Sequence, residues 1–297
     1  MAKGRTFAKS QTQAKKAARN LFQQRSVASL GTARTYAEGL KLLGDWMRKN
    51  GGGSLEQLSI KRARQYLAER ATQVGQSTLD RDRQAIQSLL QLTGKLGSDQ
   101  HLKVIQAERQ QNLQPRAYTP DQVKAIRERL APHNALGLEI AHAAGLRTHE
   151  LFTLARRDEL TPDPRPADNE KFAGHDNHTR YVVTGKGGLT REVSIPNELV
   201  ARLEAVRLDE ARTRRDRGII YQQRYAVGGG QALSQAFTTA SKAVLGYSTG
   251  IHGVRHSYTQ QRHYEHQLRT GDPERAKRIT SQEIGHFRPQ ITETYLR

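Results

Sequence analysis

The chain has 297 residues, room for one large domain or two ordinary ones. It has no cysteine, which excludes disulfides, thiolate catalysis and cysteine-type zinc sites, and no apolar run near the ~18 residues of a membrane span. Lys+Arg 48 against Asp+Glu 29 leaves a formal charge of +19, an excess that draws polyanions, nucleic acid ahead of a membrane surface, because each cation on a phosphate releases counterions.

Residues 1–25 carry Lys3, Arg5, Lys9, Lys15, Lys16, Arg19 and Arg25 and no acid. They read as a basic N-terminal arm, disordered or loosely helical, that tracks phosphates or merely solubilises. The arm is polar and lacks the apolar core of a secretory signal, so a cytoplasmic protein is expected.

Residues 26–111 predict a compact helical domain. Tyr36, Leu40, Leu43 and Met47 recur at helical spacing until Asn50 and three glycines end the run. Ser59 is expected to cap a second helix and Ser77 a third, with a fourth from about Leu102 to Gln110. Arg62, Arg64, Arg81 and Arg83 fall on polar faces, each read alone as a solvated arginine.

Residues 112–118 around Pro115 predict a linker, and residues 119–297 a second domain. Thr119-Pro120-Asp121 is a helix start: cap, proline at the first position, acid in the first turn. An apolar helix runs from Ala135 to Ala144 and ends at Gly145, after which Thr148 is expected to cap a short helix. Residues 161–178 predict an irregular insertion. Arg180–Thr184 and Arg191–Ile195 alternate as strands joined by Gly185-Lys186-Gly187-Gly188, a hairpin with a lysine on its turn. Further helices are expected over Asn197–Arg212, Ser234–Val244, His252 to about Leu268 and Pro273–Gly285, with a short last one from Pro289 that contains Tyr295. The fold class is therefore mainly α with a small antiparallel β-sheet, a helical N-terminal domain preceding a mixed α/β domain.

Two motifs lead nowhere. The glycines around Lys186 lack the spacing of a phosphate-binding loop and sit between strands. His252 and His256 are four apart, as zinc ligands on a helix are, but no acidic third ligand follows, so no metal is expected. What remains suits phosphodiester chemistry: arginines for the non-bridging oxygens, a tyrosine as nucleophile, and a lysine or histidine to protonate the leaving oxygen. Read singly, Arg147, Lys186, His252, His286 and Tyr295 are more readily a surface arginine, a solvated lysine, structural histidines and a packing tyrosine.

As an ordered set they resemble the tyrosine recombinases, or phage integrases. Gly145-Leu146-Arg147-Thr148-His149-Glu150-Leu151 resembles that family's G-L-R-x-x-E-L box. Lys186 stands in a hairpin where the family keeps a catalytic lysine. His252-Gly253-Val254-Arg255-His256-Ser257 is similar to H-x-x-R-H-S, and Ile284-Gly285-His286 with Tyr295 nine residues on is similar to the L-G-H…Y ending. These motifs span Gly145–Tyr295; the helical domain ahead of them resembles the family's core-binding domain by architecture alone.

The resemblance implies a tyrosine-recombinase catalytic domain whose Tyr295 attacks DNA to form a 3′-phosphotyrosine. It implies Arg147 and Arg255 as the phosphate clamp, Lys186 as general acid, His252 and His286 as phosphate hydrogen-bond partners assisting proton transfer, and Glu150 as structural support. It implies no metal and no cofactor. The partners it implies are double-stranded DNA, gripped between two domains, and further copies of the chain in a synaptic tetramer exchanging strands through a four-way junction. A DNA-bending or directionality factor is compatible with this reading, and a membrane is not. The expected setting is cytoplasmic, nucleoid-associated, in a bacterium or phage, as the integrase of a mobile element. A type IB topoisomerase and a catalytically silent DNA-binding protein are the alternatives. The chain stops two residues after Tyr295, where many relatives continue with a segment coupling the subunits, so coupling is expected through other surfaces such as the basic arm.

Overall fold

The computed structural model describes residues 7–110 and 113–297, and the side chain of Lys186 lies outside the description. The chain divides into two compact units, residues 1–112 and 113–297.

Among its described residues, the first unit holds four α-helices and one 3-10 turn around one apolar core. Helix α1, Ser10–Gln23, occupies most of the expected arm. The arm is thus not loose from Ser10 onward; its first six residues lie outside the described part. Ala14, Ala17, Ala18 and Leu21 form a buried stripe, leaving Lys15, Lys16 and Arg19 outside. The density of basic residues hides that stripe in the sequence.

Helix α2, Leu30–Lys49, starts where Ser29 Oγ accepts the Thr32 amide at 3.1 Å, and buries Tyr36, Leu40, Leu43 and Met47. Helix α3, Ile60–Ala71, is capped by Ser59 as expected, at 3.3 Å from the Arg62 amide. Helix α4, Gln76–Leu92, begins at Gly75 without a side-chain cap, so Ser77 lies inside the helix and does not start it.

The helix expected over 102–110 does not form. That stretch has no regular structure and lies against α3 and α4, several of its backbone bonds supplied from outside. Gln87 Oε1 accepts the Leu102 amide at 3.0 Å. Gln76 accepts the Ala107 amide at 2.8 Å and donates to the Ile105 carbonyl at 3.1 Å. Two glutamines on α4 replace the bonds a helix would have made for itself.

The second unit packs α-helices around a small antiparallel sheet. Helix α5, Pro120–Arg127, opens with a reciprocal capping box between Thr119 and Gln122. Helix α6, Pro132–Ala143, ends at Gly145, whose φ of +60° turns the chain toward the site. Thr148 caps nothing: Glu150–Thr153 is a 3-10 turn without a side-chain cap, and the Arg147 amide donates to Glu150 Oε2 at 2.7 Å.

Strands β1 (Ala155–Arg156), β2 (His178–Thr184) and β3 (Thr190–Pro196) form a sheet in that order, with Thr184 opposite Thr190 at the lysine-bearing turn. Tyr181, Val183, Val193 and Ile195 join the main core of this unit. Residues 161–177 hold no strand or helix, as expected, but they are anchored: the Asp168 and Phe172 amides donate to Gln282 and Glu283, each at 2.8 Å.

The helix expected over Asn197–Arg212 is cut short. Helix α7 spans Asn197–Glu204, and β4, Arg207–Asp216, pairs with β5, Ile219–Tyr225, as a second sheet. Arg217 and Gly218 at the turn have φ of 49° and 78°, which suits a tight two-residue hairpin. The charged run Arg207–Asp216 is extended because it has a partner strand, and a partner is not visible in local periodicity.

Helices α8 (Gly230–Leu245), α9 (His252–Thr270), α10 (Pro273–Glu283) and α11 (Pro289–Thr292) complete the unit, with a 3-10 turn at Glu293–Tyr295. The stretch expected as linker is already docked by Arg116, whose carbonyl accepts from Thr249 at 2.8 Å, and by Tyr118, whose amide donates to Ser257 at 2.9 Å. No helix among the described residues is long and apolar enough to cross a membrane.

Candidate active site

The turn after α6 brings Arg147 to the edge of a cluster assembled from four chain segments. Gly145 is required there. Besides its positive φ, a Cβ at this position would stand 2.4 Å from the Tyr258 ring. One guanidinium nitrogen of Arg147 donates to Glu150 Oε1 at 2.9 Å; another is 2.9 Å from His286 Nε2. Arginine has no acceptor, so this imidazole nitrogen accepts, which puts the His286 proton on Nδ1.

Glu150 is fully buried. It accepts from Arg147 and, through Oε2, from Arg191 at 2.9 Å, with Arg255 at 3.8 Å. Burial alone would raise its pKa, but Arg191, Arg255 and Arg147 outweigh that and hold it at about 2. It is an ionised carboxylate ringed by arginines.

Helix α9 presents His252, Arg255 and His256 on one face, as their spacing of three and four requires. Arg255 is fully buried and donates to the carbonyls of Gly145 and Ile284, tying the first motif to the last. Burial lowers its pKa to about 10, against the pull of Glu150.

The loop after α10 supplies His286, and the final 3-10 turn supplies Tyr295, 7% exposed. The tyrosine ring lies 5.5 Å from His252, 4.7 Å from His256 and 5.4 Å from His286, centroid to centroid. The Arg255 guanidinium carbon is 5.7 Å from the same ring. Gln260 on α9 holds the turn by donating to the carbonyls of Tyr295 at 3.0 Å and Arg297 at 2.9 Å.

The imidazoles here are neutral. Burial, then Arg255, lowers the pKa of His252 and of His286 to about 3, with Arg147 adding to the effect on His286. Burial, then Arg116 and Arg297, takes His256 to about 4. A neutral imidazole beside a tyrosine is able to accept a proton, and a cationic one is not.

Arg147, Glu150, His252, Arg255, His286 and Tyr295 therefore come together. Lys186 is placed by its backbone alone, on the β2–β3 turn beside Gly185, where a Cβ would come within 3.1 Å of Glu150 Oε1. The sequence reading missed Arg191, Gln260 and the contact made by His256. Arg191 did leave a signal: it shares strand parity with Val193 and Ile195, so the period of two points a charge into the core.

Residues 18–93 match the family model described as phage integrase, N-terminal SAM-like domain. No curated protein sequence matches the chain. Among solved structures, the chain is similar to XerH site-specific recombinase in its post-cleavage complex with palindromic difH substrate. The identity is 16% and the TM-score 0.57, over 98% of this chain and 82% of that one. It is similar to a lambda integrase tetramer bound to a Holliday junction, at 14% identity and a TM-score of 0.59, over 96% of this chain and 76% of that one. It is also similar to the Tn1549 transposon integrase in complex with transposon right end DNA, at 12% identity and a TM-score of 0.56, over 96% of this chain and 94% of that one. The chain has the tyrosine-recombinase fold.

Proposed function

We propose that the chain is a site-specific DNA recombinase, the integrase of a mobile element, that breaks and rejoins DNA through a 3′-phosphotyrosine. The observation that carries the reading is the convergence on the Tyr295 ring of three neutral imidazoles and a buried arginine, with Arg147 bonded to one of those imidazoles.

The Tyr295 oxygen attacks the scissile phosphorus. The new bond joins phosphorus to the tyrosine; the broken one joins phosphorus to the 5′-oxygen, which leaves with a proton from Lys186. His252, neutral in the free chain, takes the tyrosine proton, and His286, whose Nε2 accepts from Arg147 in the free chain, hydrogen-bonds the phosphate. Arg147 and Arg255 stabilise the charge that builds on the non-bridging oxygens. Arg147, with 21% of its side chain exposed, is already open to a phosphate. Arg255 is fully buried, and the tyrosine ring is one of the groups over it, so phosphate entry must move that ring before Arg255 can touch DNA. Religation is the same step reversed, with a new 5′-hydroxyl as nucleophile and no external energy source.

The net charge of +19 and the likeness to recombinases bound to DNA support double-stranded DNA as substrate. The likeness to a lambda integrase tetramer on a Holliday junction supports a tetramer exchanging strands through a four-way junction.

The test is a nicked duplex drawn from DNA flanking the gene, on which cleavage traps the covalent adduct. The chain should form an adduct that survives denaturation, and Tyr295→Phe should bind the same DNA without forming it. An adduct with the phenylalanine variant refutes the mechanism.

A further inference from the structure

We propose that Arg191 is a positioning residue for DNA cleavage, holding Glu150 and the His286 loop in one geometry and thereby aiming Arg147 at the scissile phosphate. The inference rests on the cleavage reaction above.

Arg191 lies on β3, just after the Lys186 turn but outside every motif of the site, and is 4% exposed. Its guanidinium has two bonds, each to a different arm of the site. One nitrogen donates to Glu150 Oε2 at 2.9 Å. Another donates to the carbonyl of Glu283 at 2.8 Å, three residues before His286. Its aliphatic stem passes beneath Gly285, where a Cβ would stand 2.5 Å from Arg191 Cδ. The glycine before His286 is thus the space the arginine needs.

Arg147 depends on both arms. Its guanidinium is fixed between Glu150 Oε1 and His286 Nε2, both at 2.9 Å. Arg191 grips the other oxygen of the same carboxylate and the backbone of the same loop. Loss of Arg191 frees both ends of the cradle that orients Arg147. Misplacement of a clamping group by about 1 Å costs up to about a hundredfold in rate.

Arg191 also ranks first among the cations that keep Glu150 ionised. The groups facing Glu150 are Arg147 and His149 from its own segment, Arg191 from β3, Arg255 from α9 and His286 from the loop after α10. Removing one cation raises the carboxylate pKa, so the variant should lose cleavage at a higher pH than the parent as acid is added. A residue that only stabilises the fold would not move that limb.

The experiment measures adduct formation on the nicked substrate in single turnovers, against pH, for the parent, Arg191→Met, Arg191→Lys, Glu150→Gln and the double variant Arg191→Met/Glu150→Gln. Thermal melts set a temperature at which all are folded. Arg191→Met should cut the rate by about ten- to a hundredfold, with DNA affinity much less affected, because its guanidinium faces protein and not solvent. Its acid limb should move upward in pH, and Arg191→Lys, which keeps the charge, should restore the limb while recovering only part of the rate. In the Glu150→Gln background the methionine substitution should cost far less, since the two residues act on one another. Cleavage by Arg191→Met within about twofold of the parent overturns the proposal, as does an undiminished loss in the Glu150→Gln background. If Arg191→Met fails to fold, the position of the Arg191→Lys acid limb decides, and a limb displaced like that of an uncharged side chain counts against the proposal. A parent that forms no adduct refutes the cleavage reading itself, whereas a parent that cleaves alongside unimpaired Arg191 variants refutes this inference alone.

Discussion

Glu283→Gln tests how the second unit is braced behind its candidate site. Glu283 ends α10 and is fully buried. Its carboxylate faces donors on every side: Arg262 through two bonds of 2.8 Å, His266 at 2.8 Å, Tyr258 at 3.0 Å and the Phe172 amide at 2.8 Å. An amide of the same shape presents an NH2 where a carboxylate oxygen stood, so at least two donors lose their acceptor and Arg262 loses its counter-charge. Breaking a buried pair in this way costs about 3–5 kcal/mol. For a unit of this size that lowers the melting temperature by roughly 10 °C. The assay has an internal control, because the only tryptophan, Trp46, lies in the first unit. Far-UV circular dichroism should show the second unit melting early, while Trp46 fluorescence should report an unshifted transition. The pH dependence has a definite sign. Burial alone would raise the Glu283 pKa, but the bonds from Arg262 and His266 hold it well below the ordinary glutamate range. A carboxylate depressed on folding stabilises at pH values above its unfolded pKa, and that contribution fades as pH falls below about 4.5 toward the folded value. The parent should therefore lose more second-unit stability in that acid range than the glutamine variant, in which Glu150, also held down by arginines, still contributes. A variant that melts within about 1 °C of the parent would refute the reasoning.

Two further outcomes are expected. In the free protein, His252 and His286 should remain neutral across about pH 5–8, because burial and neighbouring arginines depress both; imidazole NMR shifts that titrate near 6.5 would contradict this. Gly145→Ala should destabilise the second unit by about 2–4 kcal/mol and slow adduct formation, since it adds a strained φ of +60° and a contact of 2.4 Å with the Tyr258 ring; a parent-like melt would refute it.

What was legible in the sequence follows the range of each interaction. Helix starts at Ser29, Ser59 and Thr119 are set by residues within one turn. Ser59 and Thr119 were read correctly for that reason. The β4–β5 hairpin was not, since Arg207–Asp216 resembles a helix continuation until Ile219–Tyr225 is known to lie beside it. The stretch after Leu102 failed likewise: glutamines on α4, fifteen and more positions earlier, satisfy its backbone. Helix α1 is only half legible for a different reason: the dense basic residues leave disorder and helix both open, and the alanine-leucine stripe that packs it is masked by them.

The candidate site divides along the same line. Its candidate reactive groups sit in short stretches around Arg147, His252–Arg255 and His286–Tyr295, which stand out by their resemblance to the motifs of the tyrosine recombinases. The groups that hold them do not. Glu150 and Glu283 are both buried carboxylates, and each draws arginines from elements its own motif does not contain: Arg191 and Arg255 to one, Arg262 to the other. A buried charge is tolerated only when its partners are in place, so these carboxylates are costly unless β3, α9 and the loop after α10 have all docked. The arrangement makes the correct position of Arg147 and His286 conditional on the folding of the whole second unit. No motif reports that dependence, although the core-facing parity of Arg191 does, because a charge on the buried face of a strand requires an opposite charge inside.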